Sequence, residues 1–468
     1  MTTSATAHQA SVQEATGRMK VLGYASYLPA WRLGPARTVA AFDEDSTTMA
    51  VEAGRQLAGG RPAALWLATT SPAYMDKTNA TAVHAALSLP PDIPASDLIG
   101  TARSTMAGFR AAAQTGGLLL AADVRVGRPG SADEKGGADG AGAVLLGEPT
   151  QETPAIAEVL SHIGVTEEFL DRWREPARTT GRHWEERFGF ERYAALVRAA
   201  ATAALDAAGL SEADHTVVTS PNTGVLKRAG TLVKGRIAGH RPPVGFAGAA
   251  DPLLALADVL DRAGPGETVL LLSAVDGCDA LVLRTTDALV DRRQARSVQQ
   301  QLQGGREVDY TRYLSWRGLV EVEPPRRPEP QPPAAPPSGR TTGWKFGLTG
   351  SRCTLCGFVH LPPARVCRGC ASVDTMEPLP AADLRGRVRT HTVDRLAYSP
   401  SPPMVEVVVD LGGPGGGRST FEVADADMDT IGVGASVGLV FRRLFTAGGV
   451  HNYFWKAHVQ AEQQQEAS

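Results

Sequence analysis

Two short stretches of the chain share one pattern: residues 63–72 read AALWLATTSP, and residues 215–222 read HTVVTSPN. Each is an apolar run that ends in Thr-Ser-Pro, which is typical of a buried strand followed by a turn. The two Thr-Ser-Pro corners lie 149 residues apart, and the apolar runs 118–124 and 269–275 lie 151 residues apart. These nearly equal offsets favour an internal duplication over a chance likeness between two helix–strand units.

Helical and strand patterns alternate around both corners. Helical periodicity covers residues 47–60, 194–210 and 252–264, and residues 108–124 and 267–276 lead into further buried strands. This alternation predicts an α/β fold with two related halves, at about 19–165 and 190–320. Because ligands of such sheets bind beyond the carboxyl ends of the strands, we expect the two Thr-Ser-Pro corners to wall a site between the halves.

Composition places the chain among multi-domain globular proteins, with 468 residues, 43% hydrophobic and 21% charged. The net charge of −3 gives no drive towards nucleic acid or an anionic membrane, so neither is expected as a partner. No apolar run approaches the ~20 residues of a membrane span, and the polar start does not look like a secretory signal. We expect a cytoplasmic protein with disordered tails at 1–18 and 460–468.

A proline-rich segment separates the body (19–322) from a C-terminal module. Eight of the fourteen residues from Pro324 to Pro337 are proline. Such a segment cannot sustain helix or strand hydrogen bonds, which predicts an extended linker over 323–341.

The C-terminal module begins with four cysteines in two pairs. Cys353 and Cys356 form one Cys-x₂-Cys pair, and Cys367 and Cys370 form the other. This spacing is typical of a zinc ribbon, here over 342–376, in which four thiolates hold a structural zinc ion. Buried, reduced cysteines are the alternative. Five alternating strand patterns follow over 377–459, with a GGPGGG turn at 412–417, and indicate a small β-barrel of the OB type.

The body resembles the thiolase superfamily, and within it the hydroxymethylglutaryl-CoA synthase branch of the short archaeal type. The likeness rests on four segments in the family's order: DSTTMAVEAGRQL, TTSPAYMDKTNATAVHAAL, GADGAGAVLLGE and IAEVLSHIGVTEEFLDRWREPARTTGRHWEERFG. The C-terminal module resembles the zinc-ribbon and OB-fold domain that accompanies such enzymes as a separate protein. The resemblance implies a duplicated αβαβα body, an acyl-CoA or acyl-carrier-protein thioester as substrate, and a homodimer or a mixed complex with a thiolase-like chain.

The resemblance also locates the positions where the family carries its catalytic groups. The nucleophilic Cys of the family falls at Thr105, or at Met106 if the following helix is aligned differently. The family's Glu falls at Thr70, its His at Thr219 and its Asn near Phe246. None of these residues supplies a thiolate, carboxylate or imidazole, so all four expected groups are absent on this alignment.

Three further residues are candidates for the same pocket. Cys278 is the body's one cysteine and lies in a glycine-containing loop that resembles an active-site loop of the family; a buried, unreactive thiol is the alternative. Ser104 precedes the nucleophile position, and helix capping by Ser104 or Thr105 is the alternative. His183 matches a His of the synthase-like segment and is either a pocket-lining residue or a general base.

Two functions follow from this reading. In the first, the chain is a diverged synthase-like enzyme, of a kind suited to natural-product biosynthesis. It transfers acyl groups, or forms or cleaves C–C bonds, without a Cys acyl-enzyme. In the second, it is a non-catalytic scaffold or partner subunit of a thiolase-like complex.

Overall fold

The computed structural model describes residues 20–57, 59, 61–239, 244–323, 330–412 and 416–459. The predicted tails, part of the predicted linker and the centre of the GGPGGG turn lie outside these ranges. The chain forms two compact units. The first comprises Met1–Ala40, Asp45–Thr81 and Pro90–Asp309, and the second comprises Ala41–Glu44, Ala82–Leu89 and Tyr310–Ser468.

The strands are numbered in chain order. Those before residue 310 are β1 Lys20–Tyr27, β2 Trp31–Leu33, β3 Arg37–Val39, β4 Leu65–Thr69, β5 Ala95–Ile99, β6 Gly117–Asp123, β7 Gly140–Gly147, β8 Ala157–Val165, β9 Arg172–Trp173, β10 Arg182–His183, β11 His215–Thr219, β12 Ile237–Gly239, β13 Thr268–Ser273, β14 Cys278–Thr285 and β15 Arg306–Glu307. Those after it are β16 Thr349–Cys353, β17 Val359–His360, β18 Met376–Pro380, β19 Gly386–Asp394, β20 Met404–Asp410, β21 Arg418–Glu422, β22 Ser436–Ala447 and β23 Val450–Val459.

The α-helices are numbered in the same way. They are α1 Ser46–Gly54, α2 Ala80–Ala86, α3 Ser104–Thr115, α4 Ala132–Gly136, α5 Glu186–Ala207, α6 Thr223–Lys227, α7 Ala229–Leu232, α8 Asp251–Leu260, α9 Val298–Leu302, α10 Tyr310–Trp316, α11 Ala335–Arg340 and α12 Thr342–Lys345. No helix among the described residues is both long and apolar enough to cross a bilayer.

The body is a duplicated sheet, as the repeat predicts. Its ten strands run in the order β12-β11-β13-β14-β8-β1-β7-β6-β4-β5, so that each half repeats the same arrangement on either side of the β8–β1 junction. The sequence repeat relates β4 to β11 and β6 to β13. Within the first half β4 and β6 are parallel neighbours, and within the second half β11 and β13 are. Their carboxyl ends therefore lie at one edge of each half-sheet.

Helices lie between and outside the half-sheets. All ten residues of α8 are buried, and α8 shares one apolar core with α3 and with inward-facing residues of both halves. Helix α5 covers the other face of the second half in a separate core. Helix α1 packs against β1, β6 and β7. The result is the αβαβα layering that the sequence predicts.

The second unit contains a ribbon and a barrel. Strands β17, β16 and β18 form the ribbon sheet, and β21-β20-β19-β22-β23 form the barrel sheet. A parallel bridge between Val423 and Ala457 joins the two ends of the barrel sheet. The expectation that the proline-rich segment holds no helix is wrong at its end, where α11 places prolines in its first turn, the one turn that needs no backbone donor from them.

Two buried cations lie inside this second unit. The Arg442 and Lys456 side chains are 1% and 0% exposed. The Lys456 ammonium lies 2.8 Å from Asp43 and 2.7 Å from Glu422, and the Arg442 guanidinium lies 3.0 Å from Glu44. Because buried charges need partners, this part of the barrel depends on carboxylates that come from the segment 41–44.

Candidate functional site

Strand β6 ends in a buried carboxylate, Asp123, that binds the corner after β4. Its Oδ1 accepts hydrogen bonds from the Thr69 hydroxyl (2.9 Å), the Thr70 amide (2.7 Å), and the Ser71 amide and hydroxyl (both 3.0 Å). Its Oδ2 accepts from the Thr70 hydroxyl and the Ala249 amide, both at 2.7 Å. Because β4 and β6 are adjacent and parallel, one strand end supplies the acceptor and the other the donors. The Thr70 hydroxyl thus donates its proton to Asp123, and it accepts a hydrogen bond from the Arg125 guanidinium at 3.1 Å.

The nucleophile position of the resemblance, Thr105, is 0% exposed. Its hydroxyl donates to the carbonyl of Ala249, whose amide donates to Asp123. Helix capping, the alternative role for Ser104 and Thr105, is wrong, since Arg103 is the residue that precedes α3 and neither hydroxyl makes a capping bond. Thr70 and Thr105 are therefore linked through Asp123 and the backbone of Ala249 rather than across an open pocket.

Ser104 lies on the other side of the same helix turn. It lines an open groove of about 660 Å³ along α3, together with Thr101, Arg103 and Arg110. The Arg103 guanidinium bonds Asp279 at 2.7 Å in the wall of this groove. Ser104 and Thr105 thus face different surroundings, and only Ser104 is accessible to solvent.

The Phe246 side chain closes the space near the family's Asn position. It forms a small buried cluster with Ala102 and Val275. Its backbone pairs with Gly137 in a parallel bridge, and the Arg125 guanidinium lies over its ring at 5.5 Å. A large apolar ring therefore stands near the position at which the resemblance expects the Asn.

The corner after β11 is also satisfied internally. The Thr219 hydroxyl donates to the Leu272 carbonyl at 3.2 Å, and the Ser220 hydroxyl donates to the Ala274 carbonyl at 2.9 Å. Both bonds tie β11 to its neighbour β13. Thr219 therefore stabilises the sheet in this structure.

A small polar cavity lies beside Phe246. Its volume is about 80 Å³, and its charged lining residues are Arg125, Asp133, Asp171, Arg172, His183 and Glu186. Burial raises the pKa of the Asp171 carboxyl, although Arg172 and His183 oppose that shift. Burial disfavours the charged form of Arg125 as well, and for a guanidinium this lowers the pKa. Of the predicted pocket residues, only His183 contributes an ionisable group to this cavity. The other ionisable residues that line it were not predicted from the sequence.

The Cys278 thiol is buried and inert in this arrangement. Its side chain is 0% exposed, and burial, reinforced by Asp279, raises its pKa. A protonated, enclosed thiol is a poor nucleophile. This favours the alternative reading of Cys278 as a packing residue.

The four ribbon thiols converge. The ligand atoms of Cys353, Cys356, Cys367 and Cys370 all lie within 4.8 Å of one another. The Cys353–Cys370 and Cys356–Cys367 sulfur pairs are 3.8 and 3.5 Å apart. A tetrahedral zinc ion with Zn–S bonds of about 2.3 Å places its sulfurs roughly 3.8 Å apart, so these residues fit zinc. Zinc bound there cross-links the two knuckles, and its four protein ligands leave no position for substrate.

Three comparisons place these features among known proteins. A family described as "ChsH2, rubredoxin-like zinc ribbon domain" matches residues 347–377. Among solved structures, PksG, a hydroxymethylglutaryl-CoA synthase from Bacillus subtilis, superposes with a TM-score of 0.56 at 17% identity, covering 65% of this chain and 89% of that one. The curacin-pathway synthase in complex with holo donor-ACP gives a TM-score of 0.54 at 17% identity, covering 64% and 88%. These structures support the thiolase-like fold.

Sequence relatives carry the assignment further. The hydroxymethylglutaryl-CoA synthase of Archaeoglobus fulgidus is 30% identical over 311 residues, which is 61% of this chain and 88% of the relative. The corresponding synthase of Aeropyrum pernix is 31% identical over 309 residues, 61% of this chain and 85% of the relative. The alignments extend over most of the length of both relatives. The ribbon and the barrel account for most of the rest of this chain. On this evidence the chain belongs to the hydroxymethylglutaryl-CoA synthase family.

Proposed function

We propose that this chain handles acyl thioesters as a non-catalytic subunit and assembles with a catalytically complete chain of the same fold. The observation that carries the proposal is Thr105. The resemblance puts the family's nucleophile at this residue, and its hydroxyl is fully buried and donates to the Ala249 carbonyl. A hydroxyl without a base and without solvent contact cannot take up an acyl group.

The lack of room around Thr105 also supports the proposal. Ligand pockets typically measure about 300–1,000 Å³, whereas the polar cavity beside Phe246 has about 80 Å³. Thr105 lines neither this cavity nor the groove along α3. Neither space therefore gives an acyl chain direct access to the Thr105 hydroxyl.

The substrate class comes from the relatives. One neighbouring hydroxymethylglutaryl-CoA synthase structure is complexed with CoA, and another contains a holo donor-ACP. We extend the thioester class to this chain as part of the proposal. A homodimer and a mixed complex both stay predictions.

A second function is favoured by one observation, the buried Asp171 carboxyl. Its raised pKa and its place beside Arg172 and His183 suit a proton carrier in non-covalent chemistry on a thioester. In that case the chain is an enzyme whose reaction bypasses the acyl-enzyme stage.

The decisive experiment incubates the purified full chain with acetyl-CoA, acetoacetyl-CoA and malonyl-CoA. Intact-protein mass spectrometry then reports adducts, and chromatography reports products. The proposal expects neither adduct nor turnover in the isolated chain. Turnover without an adduct would refute it in favour of the second function, which then expects Asp171→Asn to lower kcat by about 100-fold or more and Thr105→Val to leave kcat unchanged.

A pair of neighbouring cysteine variants tests the burial argument directly. Thr105→Cys should resist iodoacetamide in the folded, zinc-loaded chain, because its side chain is enclosed. Ser104→Cys is the matched control, since it lines the open groove and should react quickly. Equal labelling of the two variants would mean that α3 is open to ligands and would remove the main support for a non-catalytic role.

A further inference from the structure

A second cavity lies wholly within the ribbon-and-barrel unit. It measures about 290 Å³ and opens between the ribbon strand β17 and the turn that leads into β21. Phe358, His360 and Arg368 line it from the ribbon, and Gly416 and Arg418 line it from the barrel. The cavity therefore lies beside the four-cysteine site. That site has no open position for a ligand, whereas the cavity is accessible.

The backbone fixes the wall of this cavity. The Gly417 amide donates to the Val359 carbonyl at 2.9 Å, which ties the barrel turn to the ribbon strand. Gly416 has φ of 102°, and a Cβ at this position would lie 2.6 Å from the Val359 carbonyl oxygen and 2.7 Å from the Phe358 ring. Only glycine permits this approach, so the backbone of the turn forms this part of the cavity wall.

A buried imidazole in the cavity wall lacks a partner. His360 is 3% exposed, and within the described part of the chain its buried Nε2 has no hydrogen-bond partner. Its ring lies against Phe358 with centroids 4.9 Å apart. Since buried polar groups are normally hydrogen-bonded, an unpartnered imidazole in the wall of a cavity indicates that something else can serve it.

The cavity carries positive charge. Arg368 and Arg418 both line it, and none of its described lining residues carries a carboxylate. Asp410 lies 3.6 Å from the Arg418 guanidinium but is shared with Arg389 at 3.1 Å. Arg368 makes no ion pair with any described carboxylate. The cavity thus has two guanidinium groups, and the one carboxylate near them, Asp410, also pairs with Arg389. The cavity is therefore cationic.

We propose that this cavity binds a phosphate monoester. Guanidinium groups pair with phosphate oxygens through parallel N–H donors, and the cavity has one such group on its ribbon side, Arg368, and one on its barrel side, Arg418. His360 adds a further polar contact, and the face of Phe358 accommodates the organic part of the ester. The proposal concerns the second unit alone and does not depend on whether the body catalyses a reaction.

The test compares adenosine monophosphate with adenosine by calorimetric titration of the zinc-loaded full chain. The monophosphate should bind at least about tenfold more tightly, because only it can form charge-assisted bonds to the arginines. The double variant Arg368→Gln, Arg418→Gln should abolish this difference. Inorganic phosphate should compete with the monophosphate, which distinguishes recognition of the phosphate from recognition of the ring.

Controls separate the site from the metal centre beside it. Arg352→Gln removes an exposed ribbon arginine outside the cavity and should leave binding unchanged. Zinc content and circular dichroism of each variant establish that the ribbon is intact. Equal affinity for adenosine and its monophosphate, no binding of either, or undiminished monophosphate binding in the double variant would overturn the proposal.

Discussion

The carboxylate of Asp123 offers the sharpest test of how the body holds its strand ends. In Asp123→Asn, the amide oxygen can keep the four donors now bound by Oδ1. The amide nitrogen then replaces Oδ2 and faces the Ala249 amide, at present 2.7 Å away, as a second donor. One buried donor without an acceptor costs about 1–3 kcal/mol, and the lost charge weakens the remaining bonds and removes an anion near Arg125. We expect a loss of about 3–5 kcal/mol in all.

Hydrogen exchange at increasing urea, followed by mass spectrometry of peptides spanning 65–72 and 117–124, measures this loss at the site. The local readout matters because a chain of two units need not unfold in one step. Asp206→Asn, on the exposed face of α5, is the matched control and should stay within about 0.5 kcal/mol of the parent. If Asp123→Asn also stays within about 1 kcal/mol, the carboxylate does not organise the strand ends and the reasoning fails.

Three further outcomes are expected. Burial lowers the pKa of His162 to about 3, so the contribution of its neutral form to stability is complete above pH ~6.5 and is lost as pH falls towards 3. Between pH 7 and pH 5 the free energy of unfolding, measured by urea titration, should therefore fall by about 2 kcal/mol less in His162→Phe than in the parent. Chelation of zinc should abolish hydrogen-exchange protection across 347–377, since the two cysteine pairs then lose their cross-link, whereas retained protection would argue against a structural metal. Lys456→Met removes the ammonium that pairs with both Asp43 and Glu422, and should destabilise β23 by about 3–5 kcal/mol in the same exchange measurement.

Most of the architecture follows from local patterns. The repeat around the two Thr-Ser-Pro corners predicts the duplicated sheet, and period-two alternation predicts all five barrel strands. These signals are strong because each buried face imposes its own spacing on the sequence. The Cys-x₂-Cys pairs predict the ribbon for the same reason, since a metal fixes the spacing of its ligands.

The features that sequence reading missed depend on contacts between distant residues. Asp123 looks like an ordinary polar residue after a strand, and only the sheet order reveals that six hydrogen bonds converge on it. Thr105 looks like a capping residue until the Ala249 carbonyl, far along the chain, appears beside it. Asp171 gains its raised pKa from burial that no local pattern indicates. The catalytic roles considered for Thr70, Thr219 and the others stay predictions.

The ion pairs of Arg442 and Lys456 with Asp43 and Glu44 have a consequence for synthesis on the ribosome. The two carboxylates leave the exit tunnel about 400 residues before the two cations do. At roughly 5–20 residues per second, that interval lasts on the order of 20–80 s. During it the segment 41–44 must stay hydrated while the chain on both sides of it folds. The ion pairs form only after β22 and β23 have been synthesised, although their carboxylates lie in the first tenth of the chain. The order of translation therefore makes the second unit the last to become stable.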